Sequence, residues 1–184
     1  MNVDEGKLKE ACKLILEAIG EDPAREGLRE TPRRFAGFWK EFIDYSPGNY
    51  DTTFEAYNTD QLVLVRGLRV WSLCEHHLLP FFADVTIGYL SENKIIGLSK
   101  FGRIAQKHAH KLQLQERLVQ EIADEIGQVA KTTSVAVVAS GEHLCMTMRG
   151  IKMPCVFTSS AMSGKFLELA TLRAEFLSLS GAGK

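Results

Sequence analysis

Nowhere in the 184 residues is there an apolar run near the roughly 20 residues that a helix needs to cross a bilayer, so no membrane partner is expected. The segment from Met1 to Glu10 is charged and lacks the apolar stretch of a secretory leader, which makes the expected location cytoplasmic. An excess of either charge is missing too: 22 Lys and Arg stand against 23 Asp and Glu, for a net charge of −1. No overall basic field points to nucleic acid, and a polyanionic ligand would need a local group of cations. Cysteine is scarce, with Cys12, Cys74, Cys145 and Cys155 the full set. A disulfide scaffold is normally shorter and richer in cysteine, so thiols beside histidines in a reducing compartment are read for metal or catalysis.

What is present suits one soluble domain, since a hydrophobic share of 45% over this length can bury a core. Leu8, Ala11, Cys12, Leu14, Ile15, Ala18 and Ile19 follow helical spacing over 4–19, Gly20 is a natural stop, and Cys12 is read as core. Thr31-Pro32 reads as the N-cap and first-turn proline of a second helix through Phe35, Phe38, Trp39 and Phe42. Residues 45–59 read as loop. Strands are predicted over Leu62–Trp71 and Phe81–Leu90, then a polar turn at 91–94 into Ile95, Ile96 and Leu98. Ser99 reads as the cap of a helix holding Ile104 and Ala105, and Leu114, Leu118, Ile122, Ile126 and Val129 mark a long amphipathic helix. Val135–Ala139 is a strand with His143–Arg149 as its hairpin partner, and Leu172–Leu179 is a closing helix. This order predicts an α+β fold with an antiparallel sheet: a helical extension over 1–59 on a sheet domain over 60–184. Bare sheet edges invite pairing between identical subunits.

The chemistry concentrates in Cys74-Glu75-His76-His77 and His143-Leu144-Cys145. A thiolate and an imidazole two residues apart can reach one ion from a strand end or turn, and zinc takes N and S donors in tetrahedral geometry. Cys74, His77 and Cys145 would make a three-donor catalytic site, with His76 and His143 left for proton transfer. Recruiting His76 or His143 as a fourth donor would instead make a closed structural site, and a lone C-x-x-H is also found without any metal.

Between these segments, Lys100 and Arg103 lie at i, i+3 on a predicted helix start, where free N–H groups attract phosphate. Arg149 and Lys152 follow the second cysteine segment. A solvated basic face is the plainer reading of such pairs. Glu116, in Gln115-Glu116-Arg117, could accept two hydrogen bonds from a guanine edge, though most exposed glutamates do nothing of the kind.

Five stretches taken together resemble the GTP cyclohydrolase I family. They are Asp22-Pro23-x-Arg25-Glu26-Gly27-Leu28-x-x-Thr31-Pro32-x-Arg34, Cys74 through Phe82, Ile96 through Lys100, Gln113 through Leu118, and Glu142-His143-x-Cys145-Met146-x-Met148-Arg149-Gly150. The resemblance runs in order from about residue 5 to 179. It implies a tunnelling fold (T-fold) assembled as a decamer of two pentamers, with active sites between subunits. It implies Cys74, His77 and Cys145 as zinc ligands, and His76 and His143 as catalytic histidines with Ser99 near the ribose. Lys100, Arg103 and Arg149, with Arg34 of a neighbouring subunit, would bind the triphosphate, and Gln115 and Glu116 would read the guanine. The implied reaction opens GTP at C8, releases formate and gives 7,8-dihydroneopterin triphosphate. Zinc would activate water at neutral pH, and His143 would protonate the ring nitrogen.

The chain departs from the family after Gly150, where Ile151-Lys152-Met153-Pro154-Cys155-Val156-Phe157 is more apolar than the usual polar loop, and Ser163 stands where a larger residue is common. Cys155 matches no family role. This segment is the one feature favouring a weakly active paralogue that binds a purine or pterin. A related T-fold enzyme acting on another pterin or deazapurine is disfavoured by the intact Cys-x-x-His and His-x-Cys set.

Overall fold

Between Pro80 and Ser91 every second residue is apolar, and Phe81, Ala83, Val85, Ile87 and Tyr89 are all fully buried in the computed structural model, which describes residues 3–57, 60–92 and 94–181. That period of two places one face of the strand on the core. The chain divides into two compact units, 1–46 and 47–184.

The first unit is a pair of helices, α1 (Glu5–Ala18) and α2 (Thr31–Ile43). The Asp4 carboxylate caps α1 by accepting from the Lys7 N–H at 3.0 Å, and Cys12 is buried as its stripe predicts. Thr31 is not the cap of α2. The Arg34 N–H already bonds the Glu30 carbonyl, so the helical turn begins one residue earlier and Glu30 holds the cap position without a side-chain bond.

The second unit carries β1 (Thr53–Glu55), β2 (Gln61–Cys74), β3 (Pro80–Ser91), β4 (Lys94–Ile96), α3 (Leu98–Ala109), β5 (Leu112–Gln113), α4 (Gln115–Ala130), β6 (Val135–His143), α5 (Leu144–Thr147), β7 (Phe157–Met162), α6 (Lys165–Glu168) and α7 (Ala170–Ser180). Five strands form one sheet in the order β5-β2-β3-β6-β7, antiparallel except for the short β5–β2 pairing. β1 and β4 pair separately. The antiparallel α+β architecture is the one the element order predicts. The segment read as loop over 45–59 contains β1, too short to carry a pattern. Its residues 58 and 59, like Asn93 of the polar turn, lie outside the described residues. The unit boundary falls at Ser46 rather than 59 because Pro47 and Asn49 bond α3 and β1 pairs with β4.

The helical face of the sheet makes the main core. Leu118, Ile122 and Ile126 of α4, packed on β3 and β6, and Phe101 and Ile104 of α3, packed on β2 and α4, are wholly or almost wholly buried. Each such aliphatic residue contributes about 1.5–3 kcal/mol by leaving water. On the opposite face, Phe166 and Phe176 cover only one end, beside Leu90, Ala136 and Val138. At the other end Arg69 pairs with Asp84, which holds that carboxyl below its usual range, and Trp71 meets Phe82.

Gly141 fixes how closely β6 meets β3. A Cβ there would lie 1.8 Å from the Phe82 carbonyl oxygen, so only glycine permits this approach, two residues before His143. Among the described residues no helix is long and apolar enough to cross a membrane.

Candidate metal and catalytic site

The hairpin between β2 and β3 closes through residues 75–79. The Cys74 carbonyl accepts from the His77 and Leu78 N–H groups at 3.2 and 2.8 Å, while the Cys74 N–H donates to Leu79 O at 2.8 Å. Leu78 takes a left-handed φ of 55°, a conformation that costs a non-glycine residue about 1–2 kcal/mol. This curl turns the imidazole back, leaving His77 Nδ1 3.8 Å from Cys74 Sγ. Glu75 is clamped to α4 by Arg117 through two bonds of 2.7 and 3.0 Å, and this pairing holds the Glu75 carboxyl below its usual range.

The third donor arrives across the sheet. β6 pairs with β3 so that His143 faces Phe81, and the chain then leaves the sheet. Of residues 143–149, read as a strand, His143 ends β6 and Leu144–Thr147 form the helical turn α5, closed by Met148 N–H to Leu144 O and by Thr147 Oγ1 to Glu142 and the His143 carbonyl. The hairpin partner of β6 is β7. The helical turn curls Cys145 back, and the donor atoms of Cys74, His77 and Cys145 all lie within 4.8 Å of one another. Burial and the neighbouring Cys74 thiol push the Cys145 thiol up, and the Arg149 charge opposes them. A dication held there would reverse that preference, because a coordinating thiol deprotonates.

His143 lies flat on Phe81, with centroids 4.4 Å apart and planes 4° from parallel, and Phe157 meets its edge at 5.6 Å. Its Nε2 is 3.0 Å from Gln115 Oε1. Burial pushes this imidazole below the ordinary histidine value, and the Glu116 charge opposes that shift in part. Neutral imidazole is therefore the resting form near pH 7.

These groups share a cavity of about 260 Å³ lined by Cys74, His76, His77, Gln115, Glu116, His143 and Cys145, with Gln113, Leu114, Met146, Cys155 and Phe157 completing the wall. His76 is exposed at the turn. A larger hollow of about 480 Å³ on the other sheet face, between Arg66, Asp84, Thr86 and Ser140, has no thiol or imidazole.

The remaining sequence candidates are placed differently. α3 starts at Leu98 with Gly97 in the cap position, so Ser99 is an exposed first-turn residue and not the cap. Lys100 donates to Asn49 O at 2.9 Å and Arg103 to Pro47 O, so both cations hold the segment leading into β1 and neither lines the cavity. Arg149 is exposed, with one guanidinium nitrogen 2.8 Å from His77 Nε2. Arg34 is exposed on α2, in the first unit. The Glu75–Arg117 clamp, Met146 and the Cys155 and Phe157 wall escaped the sequence reading. All five lie inside stretches already singled out, but the sequence assigned none of them a place in the site.

Comparison with known proteins follows this geometry. The model of the family described as GTP cyclohydrolase I matches residues 8–181. A GTP cyclohydrolase 1 from Sulfurihydrogenibium sp. (strain YO3AOP1) is 44% identical over 185 residues, covering 100% of this chain and 99% of that protein. Those from Aquifex aeolicus and Hyperthermus butylicus are 47% and 45% identical, covering 97% and 95% of this chain and 98% and 90% of theirs.

Proposed function

Because the chain belongs to the GTP cyclohydrolase I family, we propose that it hydrolyses GTP at C8 of the guanine ring with zinc, releasing formate and giving 7,8-dihydroneopterin triphosphate. The observation carrying this reading is the meeting of Cys74, His77 and Cys145 within 4.8 Å beside a cavity that His76, His143 and Glu116 also line. Two thiols and an imidazole are a donor set that suits zinc, and three donors leave a position for water. Bound there, zinc would supply Lewis-acid activation of water near neutral pH.

The rest of the work falls to the chain's own groups. The neutral imidazole of His143 serves in proton exchange with the purine ring nitrogen. His76, exposed at the same turn, serves the later proton transfers of ribose opening, with Ser99 near the sugar. Glu116, exposed in the cavity wall, accepts from the guanine N–H edge. Lys100, Arg103, Arg149 and a neighbour's Arg34 hold the triphosphate. Gln115 was expected beside Glu116 at the guanine.

Sites shared between subunits, in a decamer of two pentamers, complete this reading. It is supported by the position of Lys100 and Arg103 away from the cavity wall, and by β7, which among the described residues pairs on one side only. Near it in sequence Ile151, Met153 and Val156 are 66%, 54% and 76% exposed, apolar side chains that a neighbouring subunit would cover. Light scattering is expected to give a large ring, and a stable, active monomer would remove Arg34 from the site. All four cysteines are free, which agrees with work in the reducing cytoplasm.

Incubation with GTP, then oxidation, is expected to yield neopterin fluorescence that a chelator abolishes. Purine binding without fluorescent product would identify the weakly active paralogue instead.

A further inference from the structure

Gln115 opens α4, where a polar side chain would ordinarily reach water, yet it is wholly buried. Its amide nitrogen lies 2.9 Å from the Ala139 carbonyl oxygen and 3.0 Å from that of Phe157, with Ser159 Oγ at 3.2 Å. Backbone carbonyls only accept, so the end of the amide facing them must be the NH2. Both amide hydrogens are taken up by strand carbonyls. The opposite end is then the oxygen, 3.0 Å from His143 Nε2, and an amide oxygen only accepts. The hydrogen between them has to sit on the imidazole.

From this chain of donors and acceptors we infer that Gln115 is a positioning residue, fixing His143 as the Nε2–H tautomer with the lone pair on Nδ1, and does not itself read the purine. The carbonyls that orient the amide come from β6 and β7, so the sheet sets the tautomer through one side chain. The Phe81 face and the Phe157 edge hold the ring plane while Gln115 holds its hydrogen. With its hydrogen-bonding groups engaged inside the protein, Gln115 has no free donor for a ligand, and the exposed carboxylate of Glu116 is left to meet the guanine edge. The tautomer stands on geometry alone. Its kinetic consequence rests on the cyclohydrolase reading.

The test has two arms. In protein labelled with 15N-histidine and studied as purified by solid-state NMR at about pH 8, where an ordinary imidazole is neutral, the resonances missing from His143→Ala are expected to be pyrrole-type for Nε2 and pyridine-type for Nδ1. An Nδ1–H tautomer, or an averaged pair, overturns the inference. In the second arm, Gln115→Met is expected to lose that tautomer bias and roughly 10–100-fold in kcat, the usual scale for a group orienting a functional imidazole. The KM for GTP should stay within about threefold of wild type, because positioning acts on the chemical step. A raised KM at unchanged kcat would return Gln115 to the purine and overturn the inference. Should wild type fail to turn over GTP, the cyclohydrolase reading falls, while the NMR arm still decides the tautomer.

Discussion

His108 and His143 are both largely enclosed imidazoles in the second unit, and their surroundings differ in kind. His108 has Glu125 on Nε2 and Glu121 at 3.3 Å from Nδ1. Glu121 also accepts from Lys111 at 2.7 Å and Gln113 at 2.8 Å, while Glu125 accepts from Lys107 at 2.6 Å. Lys107 in turn donates to Tyr50 at 2.8 Å and lies over its ring. Every charge in that α3–α4 cluster has an opposite charge against it. The His143 imidazole has one hydrogen-bond partner, Gln115, among the described residues, and beside it Cys74, His77 and Cys145 bring their donor atoms within 4.8 Å of one another. Both regions border hollows of about 250–260 Å³. Hollow size therefore does not separate them; the chemistry of the groups does. A cluster of matched opposite charges holds helices together, and one that gathers two thiols and an imidazole with no carboxylate among them has a donor set suited to a soft cation.

The sharpest way to break this contrast is through the metal. About one zinc per chain is expected, and Cys74→Ser, His77→Ala and Cys145→Ser should each lose it and with it nearly all turnover, as measured by elemental analysis and the fluorescence assay. Full occupancy in Cys145→Ser would take that thiol out of the site. Next, one residue type is changed in both regions. His143→Ala should keep zinc but lose about 10²–10⁴ in rate, the usual worth of a general acid–base group. His108→Ala should keep its rate within a few-fold and instead unfold more easily, by about 1–3 kcal/mol, since Glu125 loses a largely buried partner. A slow but fully stable His108 variant would erase the distinction.

A smaller effect concerns Arg149. Its removal should raise the KM for GTP at least ~10-fold, in line with a charge-assisted phosphate contact, and affect guanosine much less, with the difference shrinking as salt rises. Equal losses for both substrates would mean that Arg149 serves His77 instead. The mildest test is acid. Burial pushes the Glu121 carboxyl up, but bonds from Lys111 and Gln113 and the charges of Lys111 and His108 outweigh it and hold the group below its ordinary 4.5. Its folded value is depressed, so its contribution is complete above that ordinary value and is lost as the pH falls through the lower folded one. Glu121→Gln should flatten the acid limb of the stability curve, and an unchanged limb would relocate the acid sensitivity.

Much of this was legible in the chain itself. The helical spacing of Leu118, Ile122 and Ile126 and the alternation of Phe81 to Tyr89 announce burial, since periodicity is a direct imprint of which face meets the core. The Cys-x-x-His and His-x-Cys stretches named the three donors that converge. Other features depend on long-range partners. Leu144, Met146 and Met148 alternate like a strand, yet no neighbouring strand offers them a ladder, and hydrogen bonds from Thr147 curl the segment into α5. Burial of Gln115 is invisible in sequence because the carbonyls that satisfy it belong to β6 and β7. Ser99 has the chemistry of a cap, but the exit from β4 starts the helix two residues earlier, with Gly97 in the cap position. β1 and β5 are too short for any period to show.

The hairpin carrying Cys74 and His77 bears on how the protein is made. Those two donors are three positions apart in a turn between adjacent strands, and a hairpin forms within about 1–10 μs. Cys145 stands 71 positions beyond Cys74. It can join them only after α3 and α4 have been synthesised and β6 has docked on β3, a closure of far higher contact order. A nascent chain thus brings two of the donors together early, and completion of the sheet adds the third. An ion at this site would therefore be held by all three donors only in the finished fold.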